Sequence, residues 1–302
     1  MTLTDAHTER FTLLRPLLFT IAYEILGSAT ESDDVLQDSY LRWSRVDLAT
    51  VRDTKSYLAQ LVTRQALDAL RAGARRREDY TGPWLPEPLL ITDQDASTDV
   101  LLAESVSMGM LVLLETLGPD ERAVFVLREV FGFEYDEIAA AVGKSSNAVR
   151  QMAYRARAHV QARRSRFGPV DPARTALLTE RFMAAATSGD LDGLLALLAP
   201  EATFTTDSGG KVAAWSLGAT GAEKVAGLLI GFSRAVLNTP GVRVEAVTYN
   251  HTPALAIYRG EVQEAACLFE SAGDRITSLY VIRNPDKLAA LAVPRTVTRT
   301  DA

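Results

Sequence analysis

Two hydrophobic periods divide this chain, and they hardly mix. Up to about Arg166, apolar residues recur only at helical spacing; after the helices that follow Ala173, the spacing changes to alternation. In the first half "FTLLRPLLFTIAYEILG" stops at Gly27, and "SDDVLQDSYLRWSRV" opens on a Ser/Asp cap with acids in its first turn, where a helix dipole favours them. "TKSYLAQLVTRQALDALRAGARRRE" sets Tyr57, Leu58, Leu61, Val62, Leu67 and Leu70 on one side and gathers arginines toward its end. "DASTDVLLAESVSMGMLVLLETLG" reads as one further helix closed by Gly118, followed by "PDERAVFVLREVFGF", and Pro169 and Pro172 close this half. Beyond Ala173, "ARTALLTERFMAAATSGDLDGLLALLAP" predicts two helices around a Gly-Asp break, and "EATFTTDSGG" alternates into a glycine turn. "GAEKVAGLLIGFSRAVL" is helical, and "VRVEAVTY", "PALAIYRG", "VQEAACLFES" and "RITSLYVIR" are strands. The expectation is a multidomain chain: an all-α half, then an α+β domain with an antiparallel sheet.

With 302 residues there is room for two or three domains. Cys267 is the only cysteine and the histidines (His7, His159, His251) are scattered, so neither a disulfide nor a structural metal is expected, nor any cofactor. There is no apolar run of the ~20 residues that span a bilayer and no basic-then-apolar leader. The expectation is a cytoplasmic protein without membrane contact. The net charge of −6 would argue against nucleic acid if it were evenly spread. Instead Arg64, Arg71, Arg75, Arg76 and Arg77 cluster together, and Lys144 to Arg166 carries seven basic residues and no acid. Local patches, not the total, decide phosphate binding.

"EYDEIAAAVGKSSNAVRQMAYRARAHV" is the sharpest signal. A short helix, Tyr135 to Val142, meets Gly143, a turn, and a serine able to cap the next helix. On that second helix Val149, Met152, Ala153, Ala156 and Val160 share one face, and Asn147, Arg150, Gln151, Tyr154 and Arg155 the other. An apolar back and an Arg/Asn/Gln front are what a recognition helix needs to sit in a major groove. The competing reading is a merely solvated arginine face; the Gly turn, the capping serine and the absence of acids favour DNA.

Taken together, these segments resemble an extracytoplasmic-function sigma factor of the sigma-70 family. "SDDVLQDSYLRW" is similar to the region 2 helix that grips core RNA polymerase, which implies that Asp33, Asp34, Gln37 and Asp38 contact the polymerase clamp. "SYLAQLVTRQALDALR" resembles the helix that reads and melts the −10 element, with Tyr57 in place of the usual Trp and Gln65 in place of the usual Asn. Arg64, Gln65, Asp68, Arg71, Arg75 and Arg76 are the residues it implies there. Region 4 is matched by residues 117–157, implying −35 contacts from Ser145, Ser146, Asn147, Arg150, Gln151, Tyr154 and Arg155; Ala148 stands where many members have Thr. The implied partners are core RNA polymerase, through its β′ clamp and β flap, and promoter DNA. The implied domains are region 2 at 5–78, a linker at 79–99, region 4 at 100–166 and a SnoaL-like or NTF2-like cone at 173–293.

A subgroup of the family carries such a cone and three short motifs, found here as "WLPEP" (84–88), "DSGGK" (207–211) and "NPDKL" (284–288). Prolines stiffen the linker and lower the ordering cost of docking. The expectation is that Trp84, Leu85, Pro86, Glu87 and Pro88 pack against Asp207, Gly209, Gly210, Lys211, Asn284, Pro285, Asp286 and Lys287, so that the cone regulates promoter binding in cis. Three rival readings remain: a conventional helix-turn-helix repressor, a small-ligand sensor whose pocket Trp215 and Phe232 line, and a cyclase-like enzyme. The last would draw its proton-moving group from Asp207, His251, Glu261 or Glu264, with Tyr249 or Tyr258. No catalytic residue is expected.

Overall fold

The computed structural model describes residues 3–91, 99–164, 172–213 and 218–300, with the side chains of 3–5, 74–78, 164, 172–176 and 237 outside that description. The first three helices are α1 (Leu3–Leu26), α2 (Ala29–Trp43) and α3 (Thr54–Glu78). Ser28 caps α2 by accepting from the Glu31 amide at 3.1 Å, and fully buried Trp43 donates to the His7 carbonyl at 2.9 Å. The segment expected as one helix before Gly118 is two, α4 (Val100–Ser105) and α5 (Met108–Leu114). The break has a cause: Ser107 leaves the helix and its hydroxyl accepts from the Met110 amide at 3.2 Å, starting α5 in a new direction.

Helix α6 (Pro119–Phe125) runs on into a π-turn at Val126–Val130, and α7 (Tyr135–Val142) meets α8 (Ser146–Arg164) across Gly143. Gly143 sits at φ +68°, the left-handed C-cap that only glycine adopts freely. The apolar backs of α1 to α8 merge into one core running from Phe11 to Val160, which also takes in Leu89 of the linker and Val297.

The last part packs α9 (Pro172–Ser188), α10 (Leu191–Leu197) and α11 (Ala222–Leu237) on one face of a sheet. Its strands are β1 (Leu198–Asp207), β2 (Gly218–Thr220), β3 (Val242–Tyr249), β4 (Thr252–Arg259), β5 (Val262–Ala272) and β6 (Arg275–Ile282), in the order β2-β1-β6-β5-β4-β3. The sheet is not wholly antiparallel as expected: β1 and β6 run parallel, because the long excursion through α11 and β3 to β5 brings the last strand beside the first. Three helices on one face of a curved, mostly antiparallel sheet make an α+β cone. A short helix, α12 (Pro285–Ala289), follows β6.

Alternation sorts the sheet residues cleanly. Leu255, Ile257, Ala265, Cys267, Phe269, Leu279 and Val281 face the cone helices; Ala254, Ala256, Ala266, Leu268, Tyr280 and Ile282 face the other way, with Leu85 and Met108. The sheet is therefore covered on both sides, once by its own helices and once by the helical half.

Asn250 pins the two halves together from the β3–β4 turn. It sits at φ 51°, which Asn tolerates. Its side chain accepts from the Leu89 amide at 2.8 Å and donates to the Val106 carbonyl at 2.7 Å and the Tyr23 hydroxyl at 2.9 Å. Asn250→Gly keeps the turn but strands two buried backbone groups, so urea unfolding is expected to register a loss of about 2–4 kcal/mol.

Candidate nucleic-acid interface and interdomain latch

The recognition face lies open. Asn147, Arg150, Gln151, Tyr154 and Arg155 are all exposed along α8, Tyr154 to 74%. Val149, Met152, Ala153, Ala156 and Val160 are buried behind them. Ser145 caps the helix by accepting from the Ala148 amide at 3.3 Å, and the Ser146 hydroxyl reaches Asp136 on α7. Arg150 lies 5.4 Å from the Tyr135 ring centroid, and Arg155 meets Glu121 at 3.2 Å while staying more than half exposed. The exposed guanidiniums and amides suit phosphate and base edges.

Two arginines of α3, Arg64 and Arg71, are occupied. Arg64 donates to the Ala140 carbonyl on α7 at 2.6 Å, and Ser56 donates to Glu137 at 2.5 Å. Arg71 meets Asp120 at 2.6 Å, and Lys144 meets the same carboxylate at 2.9 Å. Burial works against Asp120, but these two cations hold its carboxyl below the usual range. Asp68 pairs with Arg71 at 3.6 Å and is mostly exposed, and Gln65 accepts from the Arg42 guanidinium. Arg75 and Arg76 lie in α3, but their side chains are outside the described residues. On α2, Asp34, Gln37 and Asp38 point to solvent, whereas Asp33 is held between Arg15 at 3.1 Å and Arg295 at 2.6 Å.

The three short motifs converge on one carboxylate. Asp207, at the end of β1, has no exposed surface. Its Oδ2 accepts from the Leu85 amide at 2.8 Å and from Lys287 Nζ at 2.7 Å; its Oδ1 accepts from the Tyr80 hydroxyl at 2.5 Å. Lys287 also donates to the Leu85 carbonyl and stands 4.0 Å from the Trp84 ring centroid, a desolvated cation–π contact. Asn284 donates to Tyr80 at 2.8 Å. Burial first, then the Asp207 carboxylate, push the Tyr80 phenol well above its usual pKa, so it stays a donor. Two glycines are required by close approach: a Cβ on Gly209 would come 2.5 Å from Asn284 Nδ2, and one on Gly210 would come 2.9 Å from the Thr81 Cβ.

Not every expected latch residue meets the cone. Glu87 points away from it, accepting from the Ser28 hydroxyl at 2.8 Å and the Thr30 amide at 3.0 Å, so it ties the linker to the start of α2. Lys211 and Asp286 pair with each other at the surface, Pro285 is the exposed first residue of α12, and Pro86 and Pro88 are buried. Tyr80, Asn250 and Glu270 belong to the junction and were not expected there.

The cone interior holds a cavity of about 50 Å³ lined by Phe182, Phe204, Leu229, Phe232, Cys267 and Phe269 among other mostly apolar side chains. Burial pushes the Cys267 thiol up to about 12. None of the expected proton-moving groups lines it. Asp207 is in the latch, His251 is in the β3–β4 turn, Glu261 is 96% exposed, Glu264 pairs with Arg259, and neither Tyr249 nor Tyr258 reaches the cavity. Trp215 lies outside the described residues.

Residues 11–76 match the family description for sigma-70 region 2, and residues 108–160 that for sigma-70, region 4. Over 292 residues the chain is 36% identical to the ECF RNA polymerase sigma factor SigJ of Mycobacterium tuberculosis (strain ATCC 25618 / H37Rv), covering 92% of each. This chain belongs to the extracytoplasmic-function sigma factors. The crystal structure of M. tuberculosis SigJ superposes on it with a TM-score of 0.74 at 30% identity, covering 94% of this chain and 98% of that one. A probable ECF sigma factor of the same organism, SigI, is 32% identical over 188 residues, 62% of this chain and 64% of that protein.

In this sigma factor, region 4 is also held by the cone through Glu270. That side chain leaves the outer face of β5 and accepts from the Gly109 amide at 2.6 Å. Burial pushes its carboxyl up to about 7, against the Gly109 hydrogen bond, while an unfolded chain would hold it near ~4.3. Between those values the folded protein keeps a proton the unfolded chain has lost. The stability that proton contributes is complete below ~4 and gone once the pH has risen through about 7. Denaturation at pH 5 and pH 8 is expected to show Glu270→Gln stabilising the protein by about 1–3 kcal/mol at pH 8 and little at pH 5.

Proposed function

We propose that this sigma factor is in a closed, self-inhibited arrangement, with the cone and the linker acting as the restraint. In the open form α2 grips core polymerase, α3 holds the melted −10 strand, and α8 reads the −35 element. The observation that carries the reading is the contact of α3 with region 4: Arg64 on the Ala140 carbonyl and Arg71 on Asp120. Promoter −35 and −10 elements lie roughly two turns of DNA apart, about 70 Å. Two surfaces that touch cannot both reach their elements. Region 2 must therefore leave region 4 before a promoter is engaged, and the latch on Asp207 opposes that separation.

The cone reads as a regulatory module without catalysis. Its cavity of about 50 Å³ compares with ~300–1,000 Å³ for small-molecule sites, and no carboxylate lines it. Neither ligand sensing nor proton transfer gains support from that interior.

Run-off transcription with core polymerase tests the restraint directly. Trp84→Ala removes the ring under Lys287, and Asp207→Ala leaves that ammonium buried without its carboxylate, a change of about 3–5 kcal/mol at the junction. Both variants, and a chain ending at Gly168, are expected to give more transcript than the full chain. Equal output from all of them would refute cis inhibition. The recognition face has a separate readout: Arg150→Ala should weaken binding to a −35 duplex by ~10-fold and lower the salt dependence by about one counterion.

A further inference from the structure

Past α12 the chain does not stay with the cone. A 3-10 turn, Ala290–Ala292, leads into a strap, Val293–Thr300, that crosses back over region 2. The Arg295 amide donates to the Leu90 carbonyl at 2.8 Å, and Ile91 and Arg295 form a parallel bridge. Val297 is fully buried in the sigma core, the Thr298 amide donates to Thr20 on α1 at 3.0 Å, and Arg299 pairs with Asp99. These anchors fix one side chain over α2. The Arg295 guanidinium, only 11% exposed, binds Asp33 at 2.6 Å and lies 5.7 Å from the Phe19 ring centroid. Beside it a groove of about 770 Å³ is lined by Phe11, Phe19, Leu36, Gln37 and Tyr40, and Val293 to Thr296 form one wall.

An exposed ion pair would mean little here. Here the guanidinium is nearly buried, also donates to the Val293 carbonyl at 2.9 Å, and is directed at Asp33 on α2, which stays about a third exposed. We infer that the strap is a self-mask for the polymerase-binding helix: Arg295 occupies, within the chain, the place that a basic surface of core polymerase must take. The inference rests on the assignment of α2 to polymerase binding. The strap's anchors, Thr20 on α1, Asp99 and Leu90, are different residues from those that bind Asp207. Mask and polymerase compete for Asp33 and for the groove wall, so the apparent affinity for core enzyme falls with the fraction of chains unmasked.

Core binding by the full-length protein, followed with purified core polymerase, separates the outcomes. Arg295→Gln, and a chain ending at Val293, are expected to bind core ~5- to 30-fold tighter than the parent. The point substitution covers the case in which the shortened chain fails to fold. Asp34→Arg with Asp38→Arg, residues the strap leaves exposed, serves as the control and should weaken binding at least tenfold. If the control pair has no effect, the assignment of α2 is wrong. If it weakens binding while Arg295→Gln leaves the affinity unchanged, the mask is refuted and the assignment stands.

Discussion

The buried carboxylate of Asp207 is the point on which the closed arrangement turns. Taking a carboxylate and an ammonium fully out of water costs several kcal/mol for each, and only close, saturated geometry offsets it. Here the geometry is saturated: a phenol, the Leu85 and Gly209 amides and an ammonium supply the donors, and the same ammonium closes onto the Leu85 carbonyl and the Trp84 ring. The linker supplies the phenol and the Leu85 amide and α12 the ammonium, so withdrawal of the linker strips two donors from a fully buried anion at once. That makes the junction close to all-or-none, which suits a restraint better than a graded apolar contact would. The stiff linker contributes by presenting Trp84 and Leu85 with little freedom left to lose.

The sheet makes the same demand over a larger area. Ala254, Ala256 and Ala266 keep its outer face flat enough for α5 and the linker to come close, and Leu268, Tyr280 and Ile282 fill the rest. A detached cone would show this face to water as one contiguous apolar patch, which isolated soluble domains rarely do. Release of the helical half is therefore physically coupled to some other cover for that face, or to a hinged opening that exposes only part of it. Glu270 lies in the same face, and its raised pKa makes the hold on region 4 weaker in base than in acid.

How much of this could be read from the residues follows from the range of the forces involved. The helix-turn-helix was legible to the residue because local rules write it: a left-handed glycine, a capping serine and a 3.6-residue apolar face. The latch was legible only through three short motifs, since no local rule says that residues 84, 207 and 287 meet. The break at Ser107 was hidden inside an apolar run that looks continuous, and the parallel β1–β6 pair depends on what lies between the strands. Glu270 left a trace, a lone acid closing the run "AACLFES", and runs as apolar as "ALAI" already hint at a sheet buried on both faces. Arg295 left none, because its role depends on where the chain returns.

One economy links the closed and open forms. On the proposed reading Arg64, Arg71 and Lys144 turn to DNA when the protein opens; in the closed form Asp120 neutralises Arg71 and Lys144, and the Ala140 carbonyl accepts from Arg64. Arg295 neutralises Asp33 in the same manner on the polymerase side. On that reading opening need not leave charges bare, because each internal ion pair can be exchanged for one to phosphate or to polymerase. Exchange of like for like keeps the two forms within a few kcal/mol of each other, the range in which binding partners can shift a population. A closed form built on apolar contacts alone would have no such substitute waiting, and the DNA would have to supply the whole cost of opening.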